Sequence, residues 1–308
     1  MNVEQAPHKQ GVWPVMLTPF TEDGEVDYAS LERLVEWYEE NGAQGLFATC
    51  QSSEVFCLSL EERVKITQTV VKKARVPVIA SGHVSWGLED QKEELRRLAD
   101  TGVEAVVLIT NRLARQDESG EVWMDRLERL MAALPETMPL GFYECPFPYK
   151  RLLTEEEVAF CAQSGRFRFL KDTCCDPSTL ARRIKLTEGT PLKLYNANSA
   201  TLLETLRLGG AGFSGIMANF HPQLYTWLCE NWDKEPEKAE ELQGFLTMCS
   251  YIENRLYPVN AKYYLKKLGI LASDYCRVQD HGNLTPVIRD EVGQLELVSQ
   301  KLRQLYLN

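Results

Sequence analysis

Residues 139–173 read PLGFYECPFPYKRLLTEEEVAFCAQSGRFRFLKDT, one complete strand–helix–strand unit. PLGFYE (139–144) and RFRFLK (166–171) are short runs rich in apolar and aromatic residues, of strand length. Between them, TEEEVAFCAQSG (154–165) places Thr154 and Glu157 at the spacing of a capping box and closes on glycine, which predicts a helix. Each strand ends on a polar group. Tyr143 closes the first, and Lys171 stands directly behind Phe169 and Leu170. An ammonium there is costly unless it is paired or neutral. Lys171 therefore either turns out to water or has its pKa lowered for a purpose.

The same alternation extends in both directions. Strand-like runs occupy 12–17 (VWPVML), 44–49 (QGLFAT), 76–81 (VPVIAS), 104–110 (EAVVLIT), 191–197 (PLKLYNA) and 211–217 (AGFSGIM). Pro14 belongs near a strand end or a bulge, because it lacks an N–H. Helical patterns fill 28–42, 60–74, 88–102, 122–134, 176–189 and 199–210; in the first, Leu31, Leu34, Val35 and Tyr38 share one face. No GxGxxG follows the first strand and no GxxxxGK[ST] occurs, so the nucleotide-binding open sheets lack their phosphate loop. Eight such units in about 220 residues predict an α/β fold of the closed (β/α)8 TIM-barrel type. After residue 221 only helical patterns remain. The division expected is a barrel core over 1–221 and C-terminal helices over 222–308, packed on the barrel or at a subunit contact.

The net charge of -10 and pI near 5.1 argue against nucleic acid or an anionic membrane as partner. The opening MNVEQAPHKQ lacks the apolar core of a signal peptide, and runs such as AVVLI (105–109) are too short to span a bilayer. A cytoplasmic location is expected. Nine cysteines in irregular spacing, without CxxC, suggest neither a disulfide framework nor a zinc site. The four histidines include no i, i+4 pair, so no metal is expected.

Active sites of (β/α)8 barrels lie at the C-terminal ends of the strands. Lys171, Tyr143 and the loop CQSSE (50–54) would then converge on one mouth. A lysine in a dry barrel loses its proton more readily, and the free amine can form a Schiff base whose iminium draws electrons from a neighbouring bond. A phenol beside it can carry protons. The hydroxyls and amides of CQSSE can hold a carboxylate. Plainer readings stand beside these: a lysine turned to solvent, a tyrosine capping the core, and Glu54 as an acceptor for turn amides.

The chain resembles the dihydrodipicolinate synthase and N-acetylneuraminate lyase family of pyruvate-dependent class I aldolases. The likeness runs through VMLTPFTEDGEVDYASLERLVEWYEENGAQGLFATCQSSE, LSLEERVKI, RVPVIAS, GFYECP, FLKDT and LYNANSATLLETLRLGGAGFSGIMANFHP into the helical tail. It implies Lys171 as the Schiff-base lysine, with no other cofactor, and Tyr143 as the proton-handling residue. It also implies Gln51, Ser52, Ser53, Thr173 and Ser214 as substrate contacts, a 2-oxo acid and an aldehyde as ligands, and a homotetramer. Departures matter. The family loop G-[ST]-T-G-E reads Cys50-Gln51-Ser52-Ser53-Glu54 here, so Gln51 replaces a hydroxyl used in proton relay, and Cys50 and Ser53 should narrow the site. Pro148 stands where synthases carry an arginine, and Thr110-Asn111-Arg112-Leu113 where they carry paired tyrosines. Ser199 and Ala200 replace the acidic pair of sialate lyases. These losses argue against lysine biosynthesis and against sialic acid. Asn196, Asn198, Ser199, Thr173, Arg112 and His83 are candidates for a different polar pocket. The reaction expected is reversible cleavage of a 2-oxo acid, such as a 2-keto-3-deoxy sugar acid, to pyruvate and an aldehyde. The alternatives are dehydration or decarboxylation of a sugar acid through the same lysine, and a metabolite-binding barrel without catalysis.

Overall fold

A computed structural model describes residues 10–307; all but the last residue of the stretch read for a targeting signal lies outside them. Eight parallel strands form the sheet: β1 (Gly11–Val12), β2 (Leu46–Phe47), β3 (Val78–Ser81), β4 (Ala105–Ile109), β5 (Leu140–Tyr143), β6 (Phe167–Asp172), β7 (Lys193–Asn196) and β8 (Gly212–Phe213). Seven helices connect them: α1 (Tyr28–Glu40), α2 (Leu60–Lys73), α3 (Leu88–Ala99), α4 (Gly120–Ala132), α5 (Glu155–Gln163), α6 (Pro177–Thr187) and α7 (Leu202–Arg207). The α5 capping box forms as its sequence requires, Thr154 Oγ1 accepting from Glu157 N–H and the Glu157 carboxylate from Thr154 N–H.

The sheet closes on itself. β1 pairs with β8, and just after β1 Val15 bridges Phe47 of β2. Pro14 interrupts the first strand because it has no N–H to give, while its carbonyl still accepts from Phe47 N–H at 3.0 Å. At the β1–β8 seam, Gly11 faces Gly212; a Cβ on Gly212 would lie 2.0 Å from the Gly11 carbonyl oxygen, and both residues hold positive φ. Only glycine fits there.

Alternation along the strands separates two apolar layers. Trp13, Phe47, Ile79, Val107, Ile109, Phe169 and Tyr195 fill the barrel, while residues such as Val106, Leu108, Phe142 and Leu170 face the helices. The chain continues as α8 (Pro222–Asn231), α9 (Pro236–Cys249), a 3₁₀ turn (Ser250–Asn254), α10 (Val259–Lys267) and α11 (Pro286–Tyr306). Helix α8 lies against β1 and β8, and α9 against the turn that follows β7. Among the described residues no helix is long and apolar enough to cross a membrane.

Candidate active site

Tyr143, Lys171 and Tyr195 are neighbours in register at the ends of β5, β6 and β7. Lys171 is only 4% exposed, and its Nζ lies 4.4 Å from the centre of the Tyr143 ring. No carboxylate pairs with it among the described residues. Burial pulls the Lys171 amine down from its ordinary range, against the opposing pull of Cys50, Cys145 and Glu253. Burial pushes the Tyr143 phenol well above its usual value, so it is a neutral donor. Its hydroxyl reaches Gln51 Oε1 at 3.4 Å, and the Cys145 thiol reaches the same oxygen at 3.5 Å.

Local backbone geometry aims the lysine inward. Leu140 pairs with Phe167 but Gly141 with Phe169, so the register skips Arg168. Phe167 consequently sits in the outer layer while Phe169 sits inside the barrel, and Lys171 follows Phe169 to the inside. The next residue on each strand points the other way. Glu144 and Asp172 share the Arg183 guanidinium from α6, and all three side chains are buried. Glu144 also accepts from Leu153 N–H at 2.8 Å and Thr173 N–H at 3.0 Å. That cluster holds both strand ends from behind; removing one partner from such a set costs about 3–5 kcal/mol.

Above the lysine opens a cavity of about 400 Å³. Gln51, Ser52, Tyr143, Lys171 and Thr173 line it together, as do Asn198, Ser199 and Lys150. The Thr173 hydroxyl is occupied, donating to the Glu144 carbonyl at 2.8 Å. Ser53 and Ser214 do not line this cavity. Ser53 Oγ turns down to the Met16 and Ala48 carbonyls, and Ser214 Oγ donates to the Trp13 carbonyl at 2.9 Å. Cys50 packs inside the barrel beneath the loop, so neither glycine replacement narrows the cavity directly. Asn196 serves its own loop, bonding Thr201, Thr205 and Asn198 N–H. His83 is fully buried and accepts from Ile109 N–H at 2.5 Å; burial holds its pKa down at about 3, which makes it a neutral packing residue. Arg112 lies between the Phe56 and Trp86 rings, and Arg151 pairs with Glu157 over Trp123.

One wall of the cavity comes from the C-terminal helices: Ser250, Glu253, Tyr257 and Gln279. Sequence reasoning treated this tail as packing and missed them. Its sole local signal was the break in helical pattern at Leu256-Tyr257-Pro258, since a proline ends a helix at the residue before it. Tyr257 hydrogen-bonds Ser52 and receives Asn219 Nδ2 at 3.1 Å. Glu253 is half-buried, and burial pushes its carboxyl up to about 7, opposed by Lys171. Glu54 does serve as a structural acceptor, for amides far along the chain. It takes Arg277 N–H at 2.6 Å, Val278 N–H at 2.8 Å and Lys262 Nζ, tying the tail to the barrel mouth. Among the described residues no cluster of three His, Cys, Asp or Glu is arranged to hold a metal.

With a strand-ending lysine at the barrel mouth beside a phenol and a hydroxyl-bearing loop, the model of the dihydrodipicolinate synthetase family matches residues 8–295. The chain belongs to that family. Its members are aldolase-type carbon–carbon lyases that work through a lysine Schiff base with pyruvate and need no cofactor. The chain is 26% identical over 304 residues to a 4-hydroxy-tetrahydrodipicolinate synthase of Pseudoalteromonas atlantica, covering 95% of this chain and 97% of the relative. It is 31% identical over 283 residues to that of a Jannaschia species, covering 87% and 91%. The dihydrodipicolinate synthase of Acinetobacter baumannii, solved with pyruvate, superposes with a TM-score of 0.84 at 23% identity, covering 94% of this chain and 99% of that one. That likeness shows the fold.

Proposed function

We propose that this member of the dihydrodipicolinate synthetase family cleaves or forms a 2-oxo acid reversibly, with Lys171 as the Schiff-base lysine and pyruvate as one product. The observation that carries the reading is a buried amine, without an ion-paired carboxylate among the described residues, at the floor of a cavity. Such an amine gains little by staying charged, and it is available as a nucleophile. Tyr143 delivers or takes the proton of the carbinolamine, and Ser52 with the loop amides receives the carboxylate. Thr173 packs the wall, and Gln51 positions the phenol. Ser53 and Ser214 act from beneath by fixing the loop and strand that carry the contacts.

For the second substrate we propose a hydroxylated aldehyde, which makes the condensed product a 2-keto-3-deoxy sugar acid. Asn198, Ser199, Ser250 and Gln279 supply amides and hydroxyls at the wider end of the cavity. The curated relatives are named as synthases, but Pro148 and the Thr110–Leu113 loop lack the groups that synthases use for aspartate semialdehyde. One observation favours a second reading. Lys150 lines the cavity rim and offers a cation to an anionic far end, synthase substrate included.

The proposal includes a cytoplasmic homotetramer, to which the exposed rings of Trp86 and Phe147 at the barrel mouth are suited. Residues 1–221 form its catalytic core, and 222–308 pack on the barrel and complete the cavity wall. The test is intact and peptide mass spectrometry after pyruvate and borohydride. A reduced pyruvyl adduct on Lys171 is expected, and screening of aldehydes and sugar acids then names the partner. An adduct with longer 2-oxo acids alone would move the reaction to a dehydratase or decarboxylase. No adduct with any 2-oxo acid, from folded protein, would leave a metabolite-binding barrel.

A further inference from the structure

We propose that Glu253, reaching the cavity from the C-terminal 3₁₀ turn, is the acid–base residue that moves the proton at C3 of the lysine-bound 2-oxo acid. This deepens the Schiff-base reading and rests on it.

The first observation is where the phenol's hydrogen bond goes. The Tyr143 hydroxyl reaches Gln51 Oε1. A carboxamide can accept that hydrogen bond, but it cannot take up a proton and pass another on as a hydroxyl would. Proton relay from Tyr143 through Gln51 therefore stops there, and the Cys145 thiol beside the phenol, its pKa raised by burial, leads on only to Gln51 and the Phe147 carbonyl. Tyr143 itself is a poor base, since its phenolate is strongly disfavoured in this buried position. Removing a C3 proton needs another group.

The second observation is that, among the described residues, Glu253 is the carboxylate that lines the cavity. It stands on the C-terminal wall, and its charge is felt by Lys171. Among the described residues no amide or side chain donates to it, unlike the carboxylates of Glu54, Glu144 and Asp172, which are each held by donors. The titratable groups around it are Lys171 and Tyr143 from the barrel, Lys150 and Cys175 from the loops, Tyr225 from α8, and Tyr257 from its own segment. Burial holds the Glu253 carboxyl near neutrality, so acid and base forms are both present at physiological pH, the condition for efficient general acid–base catalysis.

The step balances without a co-reactant. Glu253 carboxylate takes the proton from C3 of the iminium. The C–H electron pair becomes the C2=C3 bond, and the C=N pair returns to Lys171 Nζ, giving the enamine. Cleavage runs the last step in reverse: protonated Glu253 gives its proton to C3, restoring the iminium of pyruvate for hydrolysis.

Pyruvate alone tests this, because the step appears as uptake of solvent deuterium into its methyl group, followed by proton NMR in D2O with the full chain. Wild type should exchange, with a rate that rises through about pH 7. Glu253→Gln should lower exchange by about 10²-fold or more, lose that inflection, and still yield the borohydride adduct on Lys171. Glu253→Asp should recover part of the exchange, which separates chemistry from misfolding. Wild-type exchange in folded Glu253→Gln would overturn the assignment. Loss of the adduct in that variant would also overturn it, by placing Glu253 at the lysine instead of the carbon. Absence of any adduct in wild type would instead bring down the Schiff-base reading beneath it.

Discussion

The molecule buries two lysines in almost the same aromatic setting and pairs them differently. Lys171 Nζ lies 4.4 Å from the centre of the Tyr143 ring, and Lys262 Nζ lies 4.3 Å from that of Phe20. The ring contact therefore does not distinguish them. A carboxylate does. Lys262 is fully buried against Glu54 and also donates to the Tyr275 carbonyl at 2.9 Å, so its charge is balanced and two of its three donors are taken. Among the described residues Lys171 has no such ion pair, and it faces a cavity. A paired buried lysine acts as an anchor; for the unpaired one beneath the cavity we propose the part of nucleophile.

Exchange of roles between the two lysines would break the comparison. Lys171→Ala should abolish the borohydride adduct and turnover altogether, while urea denaturation shows stability unchanged or raised, since no partner is orphaned. A marked loss of stability would mean that Lys171 is structural. Lys262→Ala should instead destabilise by about 3–5 kcal/mol, because Glu54 is left buried and unpaired. Folded Lys262→Ala should still trap pyruvate on Lys171; loss of the adduct without loss of stability would reverse the two assignments.

The pH dependence sharpens the contrast. The Lys171 pKa is lowered on folding, from an ordinary value of 10.5. Between the folded value and 10.5, the unfolded chain holds a proton that the folded chain has released. Stability therefore gains from rising pH across that window and gains nothing further above it. Wild type should become more stable relative to Lys171→Ala as pH climbs toward 10.5, measured by urea denaturation at several pH values. Adduct formation should rise in the same direction and level off below 10.5. A flat difference would mean that the amine keeps an ordinary pKa. The smallest effect is expected for Gln51→Thr. Its side chain makes only long contacts, at 3.4 and 3.5 Å, so the melting temperature should barely move while turnover changes several-fold. Unchanged turnover on the true substrate would remove Gln51 from the chemistry.

Much of the candidate site was legible because strand ends, loop hydroxyls and the lysine lie within local motifs. Lys171, Tyr143, Gln51, Ser52 and Thr173 each sit at or just beyond a strand, and the barrel brings such ends to one mouth. Ser53 and Ser214 show the limit of that reasoning. A hydroxyl in the right loop serves substrate or backbone according to a rotation that no spacing reveals, and both serve backbone carbonyls here. Glu253 shows the other limit. It lies 82 residues beyond Lys171, in a helical tail with no motif of its own.

The sequence by itself determined the alternation of strands and helices, the capping of α5 and the lysine at the end of β6, because those depend on neighbours a few residues apart. Only the tertiary structure decided the rest. The skipped residue between β5 and β6 turned Lys171 inward, a matter of register between strands rather than of pattern within one. The choice of Glu54 as the ion-pair partner of Lys262, and not of Lys171, decided which buried ammonium is held by a contacting carboxylate. Electrostatic pairing acts through space, and in this chain it joins residues 208 positions apart.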